Sequence, residues 1–220
     1  MKEKKVSRII LYLVFVTIAG FGAALTIKMA IGMGPWDALG KTMSNITSIK
    51  VGTMGIILNS TCVLLQILIE KSKFRPYKLL QVPVAFINGY IINFFYYNIL
   101  GELAIGSYFV KLIVFILGMI VLAFAISGIV VSDVIMFPLE SLCSVISDRT
   151  GKLFHKIRQK VDVISIVLTF LLIFLTKSEY TLREGTIISM LIFGPLMGVF
   201  MPLIKSQITK YGLLEEEYEK

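Results

Sequence analysis

Six long apolar runs, almost free of charge, dominate this chain of 220 residues. A helix needs about 20 apolar residues to cross the ~30 Å hydrocarbon core of a bilayer. The runs that approach this length are Ile9–Ile27, Val51–Ile69, Leu79–Leu100, Leu112–Val131, Val161–Thr176 and Gly185–Ile204. The sequence therefore predicts an all-α integral membrane protein with six transmembrane helices, of which the fifth is the shortest.

The composition excludes the other broad classes of protein. Charged residues make up 16% of the chain and hydrophobic residues 56%, whereas a soluble domain carries about 25% charged residues. Disorder is excluded by the high apolar content. The first apolar run exceeds the 7–15 residues that are usual for a signal peptide, which favours an uncleaved first helix over a cleaved leader.

The basic residues alternate between the two sides of the predicted spans. Sixteen of the 22 Lys and Arg residues lie at the N-terminus, in the second-to-third and fourth-to-fifth connectors, and in the C-tail. Only six fall on the other side. Because cytoplasmic loops carry the excess of Lys and Arg, we expect a multi-pass protein of the bacterial plasma membrane with both termini in the cytoplasm. The net charge of +8 is then explained by orientation and lipid headgroups, without nucleic acid.

The chain contains a short internal repeat. Residues 35–39 read Pro-Trp-Asp-Ala-Leu and residues 138–142 read Pro-Leu-Glu-Ser-Leu, at an offset that persists to Ser44 and Ser147. A second similarity links Gly89 and Gly185 with the apolar residues that follow each. The repeat predicts an N-terminal three-span unit over residues 1–104, a C-terminal three-span unit over 105–204 and a charged cytoplasmic tail over 205–220.

Three spans in each unit imply opposite orientations of the two units. An odd number of crossings makes the second unit enter the membrane from the other side, which is an inverted-topology repeat. Many secondary transporters are built in this way, because two equivalent halves can open to alternate sides. Chance similarity among apolar helices is the alternative explanation.

The two Pro-acid segments are predicted to begin short helices between spans one and two and between spans four and five. Pro35 and Pro138 suit the first helical position, and Asp37 and Glu140 suit the positive end of the helix dipole. One interpretation is an amphipathic helix on the membrane surface, with Trp36 in the aromatic belt. The other is a re-entrant helix that brings its acid toward the midplane, where ionisable groups usually mark function.

The residues from Gly32 to Leu39, which read Gly-Met-Gly-Pro-Trp-Asp-Ala-Leu, resemble the signature of the YczE/YyaS/YitT group of bacterial multi-spanning membrane proteins. Residues 185–187 and 193–196 resemble the C-terminal pattern of that group. The resemblance spans nearly the whole chain and implies a membrane protein that is often presumed to be a permease. The second Pro-acid segment departs from the signature, since it lacks a Gly before Pro138 and carries Glu140 instead of Asp.

Other polar and small residues in or beside the spans are expected to have specific structural or functional roles. Asn59, Asn88 and Asn93 are expected to face the bundle interior, either in interhelical hydrogen bonds or along a substrate path. Asp162 follows Arg158 by four residues, a spacing that permits an ion pair. Gly32 and Gly34 permit an unwound backbone before Pro35, and Gly194 with Pro195 predicts a kinked, close helix contact.

These observations favour a secondary transporter or permease for a small molecule or ion, working by alternating access. Asp37 and Glu140 are the candidates for ion coupling, with Asn59, Asn88 and Asn93 along the path. The alternative is a non-transporting accessory or sensor protein that assists a partner complex. We expect no enzyme activity, no cofactor and no metal site, and a lipid bilayer as the surroundings; the oligomeric state is left open.

Overall fold

The computed structural model describes residues 2–210, with side chains from residue 6 onward except that of residue 155, and the secondary structure of this part consists of helices joined by loops, with no strand. Its α-helices are α1 Lys2–Met29, α2 Pro35–Thr47, α3 Val51–Glu70, α4 Gln81–Asn93, α5 Tyr108–Ser132, α6 Pro138–Thr150, α7 Phe154–Thr176 and α8 Glu184–Lys210. Two 3₁₀ turns, Lys71–Lys73 and Pro76–Leu80, precede α4, and a π-helical turn, Phe94–Ile99, extends it. Of the predicted tail, residues 205–210 belong to α8 and the rest lies outside the described residues.

Six helical segments of the described chain are long and apolar enough to cross a membrane, as the sequence predicted. They are Val6–Met29, Val51–Lys73, Pro76–Ile99, Tyr108–Ser132, Lys156–Thr176 and Glu184–Lys210. The fifth span is longer than expected because α7 begins at Phe154 and carries charged residues in its first turns. Apolar content alone had placed its start at Val161.

The centre of the bundle is formed by α1 packed against α5. Phe15, Val16 and Ile129 are buried in this contact, and a Cβ added to Gly128 would lie 2.4 Å from the Phe15 ring. Small residues let membrane helices approach closely where apolar surface gives no driving force relative to lipid. On this central pair, α4 packs against α1 and α8 packs against α5.

The remaining helices pack across the two halves of the chain. Helix α2 contacts α3 and α7, and helix α6 contacts α7 and α3. Smaller contacts join α2 to α8 and α6 to α4, while α3 and α4 share an extensive interface. The short helices are therefore enclosed by longer ones and are well placed to carry a site.

Two glycines bring α3 and α4 into backbone contact. A Cβ on Gly52 would lie 2.0 Å from the carbonyl oxygen of Gly89. Next to this contact, the Gly52 amide donates to Asn93 Oδ1 at 2.8 Å, and Asn93 Nδ2 donates to Thr53 Oγ1 at 3.0 Å. The amide group of Asn93 is thus occupied on both sides by interhelical hydrogen bonds, which is the first of the two roles expected for it.

The loop between α1 and α2 depends on Gly32. Its φ of +125° lies in the region that favours glycine, and a Cβ there would lie 2.5 Å from the Thr186 backbone nitrogen. The Gly185 amide donates to the Ile31 carbonyl at 2.8 Å, so the signature loop of the first half meets the start of α8. Gly34 has a φ of −54°, a backbone conformation that residues other than glycine also adopt.

The close contact predicted at Gly194 is not found among the described residues. A Cβ added to Gly194, or to Gly198 one turn later, would meet no described atom within 4 Å. Helix α8 continues through Pro195 and Pro202, because neighbouring groups in membrane helices can satisfy the carbonyls that proline leaves free.

Candidate functional site

The beginnings of α2 and α6 lie near one buried cluster inside the bundle. Pro35 and Pro138 occupy the first turn of their helices, with Asp37 and Glu140 as the acids of that turn. Trp36 packs against the buried cluster formed by Leu139 and Leu142 of α6 with Cys62 of α3. The indole of this segment therefore lies against protein. The aromatic-belt position was the alternative expected from sequence.

An ion-pair network holds Glu140. Arg158 Nε lies 4.0 Å from Glu140 Oε1, and Arg158 Nη1 bonds Asp162 Oδ1 one turn further along α7. The pair of Arg158 and Asp162 was predicted from their spacing. Their side chains are 24% and 18% exposed, and that of Glu140 is 20% exposed, so all three are largely removed from solvent.

The Asp37 carboxylate has no such partner. Among residues 6–210, no hydrogen-bond donor or cationic group lies within bonding distance of it, although the charges of Arg158, Glu140 and Asp162 act on it from further away. Asp37 and Glu140 lie outside the six spanning helices, and burial raises the pKa of each carboxyl above its ordinary value while Arg158 opposes the change. A half-buried, unpaired carboxylate is costly, which makes Asp37 a candidate for binding a proton or cation.

Asp37 lines a cavity of about 60 Å³. This volume has room for roughly four water molecules or one small ion. Asn59 and Asn88 line the same space, together with Trp36 and the small residues Gly40, Gly55, Ala85 and Gly89. Three of the five predicted pathway residues, namely Asp37, Asn59 and Asn88, are therefore brought together.

The two asparagine amides beside the cavity differ in the partners of their oxygens. Asn88 Oδ1 is buried without a hydrogen-bond partner in the described chain. Asn59 Nδ2 donates to the Gly55 carbonyl at 2.9 Å, which leaves Asn59 Oδ1 without a donor among the described residues. A Cβ on Gly20 of α1 would lie 3.3 Å from Asn88 Oδ1, so this oxygen faces α1 with no room for a water molecule beside it, and Asn59 Oδ1 is the free amide oxygen near the cavity.

The other two predicted residues lie elsewhere. Glu140 faces Arg158, and Asn93 bonds α3. Sequence reasoning paired Arg158 with Asp162 but missed its ion pair with Glu140, and it missed Gly55. Extending the repeat offset aligns Glu140 with Asp37, Arg158 with Gly55 and Asp162 with Asn59.

A second buried polar cluster fixes α6 and is fully bonded. Gln66 Nε2 donates to Gln81 Oε1 at 2.9 Å and to the Pro138 carbonyl at 3.1 Å, and Ser141 Oγ donates to Gln66 Oε1 at 2.9 Å. Gln81 Nε2 donates in turn to Ser141 Oγ at 2.9 Å. Because each group has a partner, this cluster is structural, joining α3, α4 and α6. Within the described residues, no three His, Cys, Asp or Glu side chains are placed to hold a metal ion.

Comparison with known proteins agrees with a membrane protein. Residues 6–202 match a family of unknown function, DUF6198. The chain is 23% identical over 194 residues to the uncharacterized protein YyaS of Bacillus subtilis (strain 168), covering 88% of this chain and 92% of that protein. It is 28% identical over 152 residues to the uncharacterized membrane protein YczE of the same organism, covering 69% and 68%. No solved structure matches.

Proposed function

The chain belongs to DUF6198, a family of unknown function, and from the geometry of its buried acids we propose that it is a secondary transporter for a small molecule or ion. The unpaired Asp37 carboxylate in the cavity is the observation that carries the proposal. A charge held inside a membrane protein without a partner is expensive and usually functional. Its binding and release of a proton or cation would couple a gradient to movement.

The depth of Asp37 supports a re-entrant α2. It shares the cavity with Asn59, the ninth residue of α3, and with Asn88, halfway along the third span. At 1.5 Å per residue, Asn59 lies about 12 Å from the start of α3. The other half of α2 reaches the loop after α7, where Thr42 Oγ1 bonds Thr181 Oγ1. We infer that α2 runs from one membrane boundary to the middle.

Local geometry supports the inverted repeat. Helices α2 and α6 begin and end at residues 103 positions apart. The same offset relates the hydrogen bond from Ser44 Oγ to the Ile49 carbonyl and that from Ser147 Oγ to the Lys152 carbonyl. It also relates the positive-φ residues, Ala30 and Ser48 in one half and Asp133 and Gly151 in the other.

The packing of helices also supports a pseudo-two-fold axis. Such an axis exchanges α1 with α5, α2 with α6, α3 with α7 and α4 with α8. It relates the α2–α7 contact to α6–α3, α1–α4 to α5–α8, and α2–α8 to α6–α4. The extensive α3–α4 interface has no equal between α7 and α8 in the described chain. In alternating access the two halves would exchange conformations. The α7–α8 pair, which has the smaller interface, is where such movement would meet least resistance.

Reconstituted vesicles test this proposal. With pyranine inside and an inward gradient of sodium, potassium or guanidinium chloride outside, we expect the full chain to change the internal pH faster than protein-free vesicles. Asp37→Asn removes the ionisable group and should slow the change by about tenfold or more. A loss of roughly 1.4 kcal/mol in the free energy of binding the proton or cation already corresponds to a factor of ten. Asp133→Asn is the matched control, because that side chain is 91% exposed.

Two outcomes would contradict the proposal. Unchanged rates in both Asp37→Asn and Glu140→Gln would remove the two acids from coupling. A wild-type chain that moves no ion in any of these gradients would instead favour the accessory or sensor role, for which co-purification with a partner is the expected result.

We also propose that both termini face the cytoplasm of a bacterial cell. The start of α1 and the end of α5 lie together, since Arg8 Nη2 donates to the Ser132 carbonyl at 2.9 Å, and the basic connectors fall on that side. Green fluorescent protein fused after Lys220 should fluoresce, and alkaline phosphatase inserted after Glu102 should be active. The reverse pattern would contradict this orientation.

A further inference from the structure

We propose that the cavity beside Asp37 binds a small monovalent cation that carries N–H donors, of the guanidinium or alkylammonium class, in the place that Arg158 fills in the other half of the chain. This inference rests on the proposed repeat and names the ligand class of the proposed transport site. Three observations support it. They are the equivalent positions of Asp37 and Glu140 in the repeat, the hydrogen-bond acceptors around the cavity, and the open position next to Gly55.

The second half of the chain holds a guanidinium between two acids. Arg158 lies next to Glu140 and Asp162, as described above. The repeat offset places Asp37 at the position of Glu140, Asn59 at that of Asp162 and Gly55 at that of Arg158. The helix starts agree with this offset, since the Met54 amide donates to the Lys50 carbonyl and the Ile157 amide to the Leu153 carbonyl.

The first half keeps the acid and leaves out the internal cation. A Cβ built on Gly55 would meet no described atom within 4 Å, so a side chain could leave the helix there without obstruction at its first atom. Gly55, Asp37 and Asn59 all line the cavity. A cation from outside can therefore occupy the position that the chain fills by itself in the other half.

The cavity offers acceptors that suit such a ligand. The Asp37 carboxylate and Asn59 Oδ1 lack donors in the described part of the chain. Pro35 at the start of α2 has no N–H to give. A guanidinium or ammonium group supplies several N–H donors together with a positive charge, and hydrogen bonds between ionised groups are about twice as strong as neutral ones.

The net charge of the surroundings points in the same direction. Asp37, Glu140 and Asp162 act on one another together with a single cation, Arg158. With all three acids ionised, this half-buried group carries two uncompensated negative charges. Coulomb energy in a low-dielectric region favours taking up a cation. Trp36 also lines the cavity, and aromatic rings attract cations.

Trp36 allows a direct binding test, because it is the single tryptophan of the chain. The full chain in lipid nanodiscs is titrated with millimolar guanidinium, methylammonium, sodium or potassium chloride at constant ionic strength while the emission of Trp36 is recorded. We expect a saturable change with guanidinium or methylammonium, at a concentration about tenfold or more below any change caused by sodium or potassium. Asp37→Asn should abolish it, and Asp133→Asn should not.

Gly55→Arg provides the second variant. An arginine there would supply the chain's own guanidinium to Asp37, so we expect a folded protein whose Trp36 no longer responds to added cations. An unchanged circular dichroism spectrum would show that Gly55→Arg is folded. Gly106→Arg adds an arginine outside the cavity, where a Cβ also meets no described atom within 4 Å, and should keep the response. Equal responses to sodium and guanidinium, or a full guanidinium response in Asp37→Asn, would overturn the proposal.

The cation site and the transporter proposal can be refuted independently of each other. Guanidinium binding that requires Asp37, with proton-linked flux that does not, would leave the cation site standing and remove the coupling role. Flux that depends on Asp37 without any Trp36 response to guanidinium or methylammonium would overturn the cation site and leave the transporter proposal intact.

Discussion

Arg158→Leu is expected to destabilise the protein by about 3 kcal/mol or more. The substitution removes the cation that lies between Glu140 and Asp162 and leaves two largely buried carboxylates facing each other. Removing one member of a buried ion pair typically costs roughly 3–5 kcal/mol, because the remaining charge is uncompensated. The free energy of unfolding, measured by denaturant titration in mixed micelles, is the quantity to compare.

Two further variants show whether charge is the cause. The triple variant Glu140→Gln, Arg158→Leu, Asp162→Asn lacks the unpaired charges and should recover most of the lost stability. Arg149→Leu removes an exposed basic residue of α6 and should have little effect. A triple variant no more stable than Arg158→Leu would show that arginine packing, and not charge balance, supports this region.

The sequence predicted the elements whose causes are local. Pro35 and Pro138 begin α2 and α6 as expected, because proline fixes the backbone for the first helical turn. The six spans follow from apolar length, which the membrane dictates. The start of α7 was placed too late, since Lys156 and Arg158 count against an apolar window although the helix includes them. A charge count does not reveal which charges face a partner.

The site required tertiary information. Asn88 and Asn93 lie on the same continuous helix and have the same chemistry, yet one lines the cavity and the other bonds Gly52. That difference depends on where α3 approaches α4, which a single sequence does not contain. Gly32 and Gly34 are a similar pair, because only Gly32 adopts a positive φ. Extending the repeat offset along α3 and α7 would have aligned Arg158 with Gly55, whereas the spacing to Asp162 identified Arg158 alone.

Alanine at Gly52 and alanine at Gly55 should have opposite effects on stability. The two glycines lie about one turn apart on α3. A methyl group on Gly52 would sit 2.0 Å from the Gly89 carbonyl oxygen, which belongs to backbone and moves only if α4 moves. Overpacking of this kind costs about 1–3 kcal/mol, and displacement of α4 would also strain the bond from the Gly52 amide to Asn93.

At Gly55 the same methyl group enters open space. The substitution then gains up to about 1 kcal/mol from the higher helix propensity of alanine, and the matched position controls for helix, residue type and depth. Unfolding free energies of the two variants in one detergent mixture therefore measure the α3–α4 contact itself. Equal stability of Gly52→Ala and Gly55→Ala would mean that α4 can move away without cost, and that Asn93 is as free to face the cavity as Asn88.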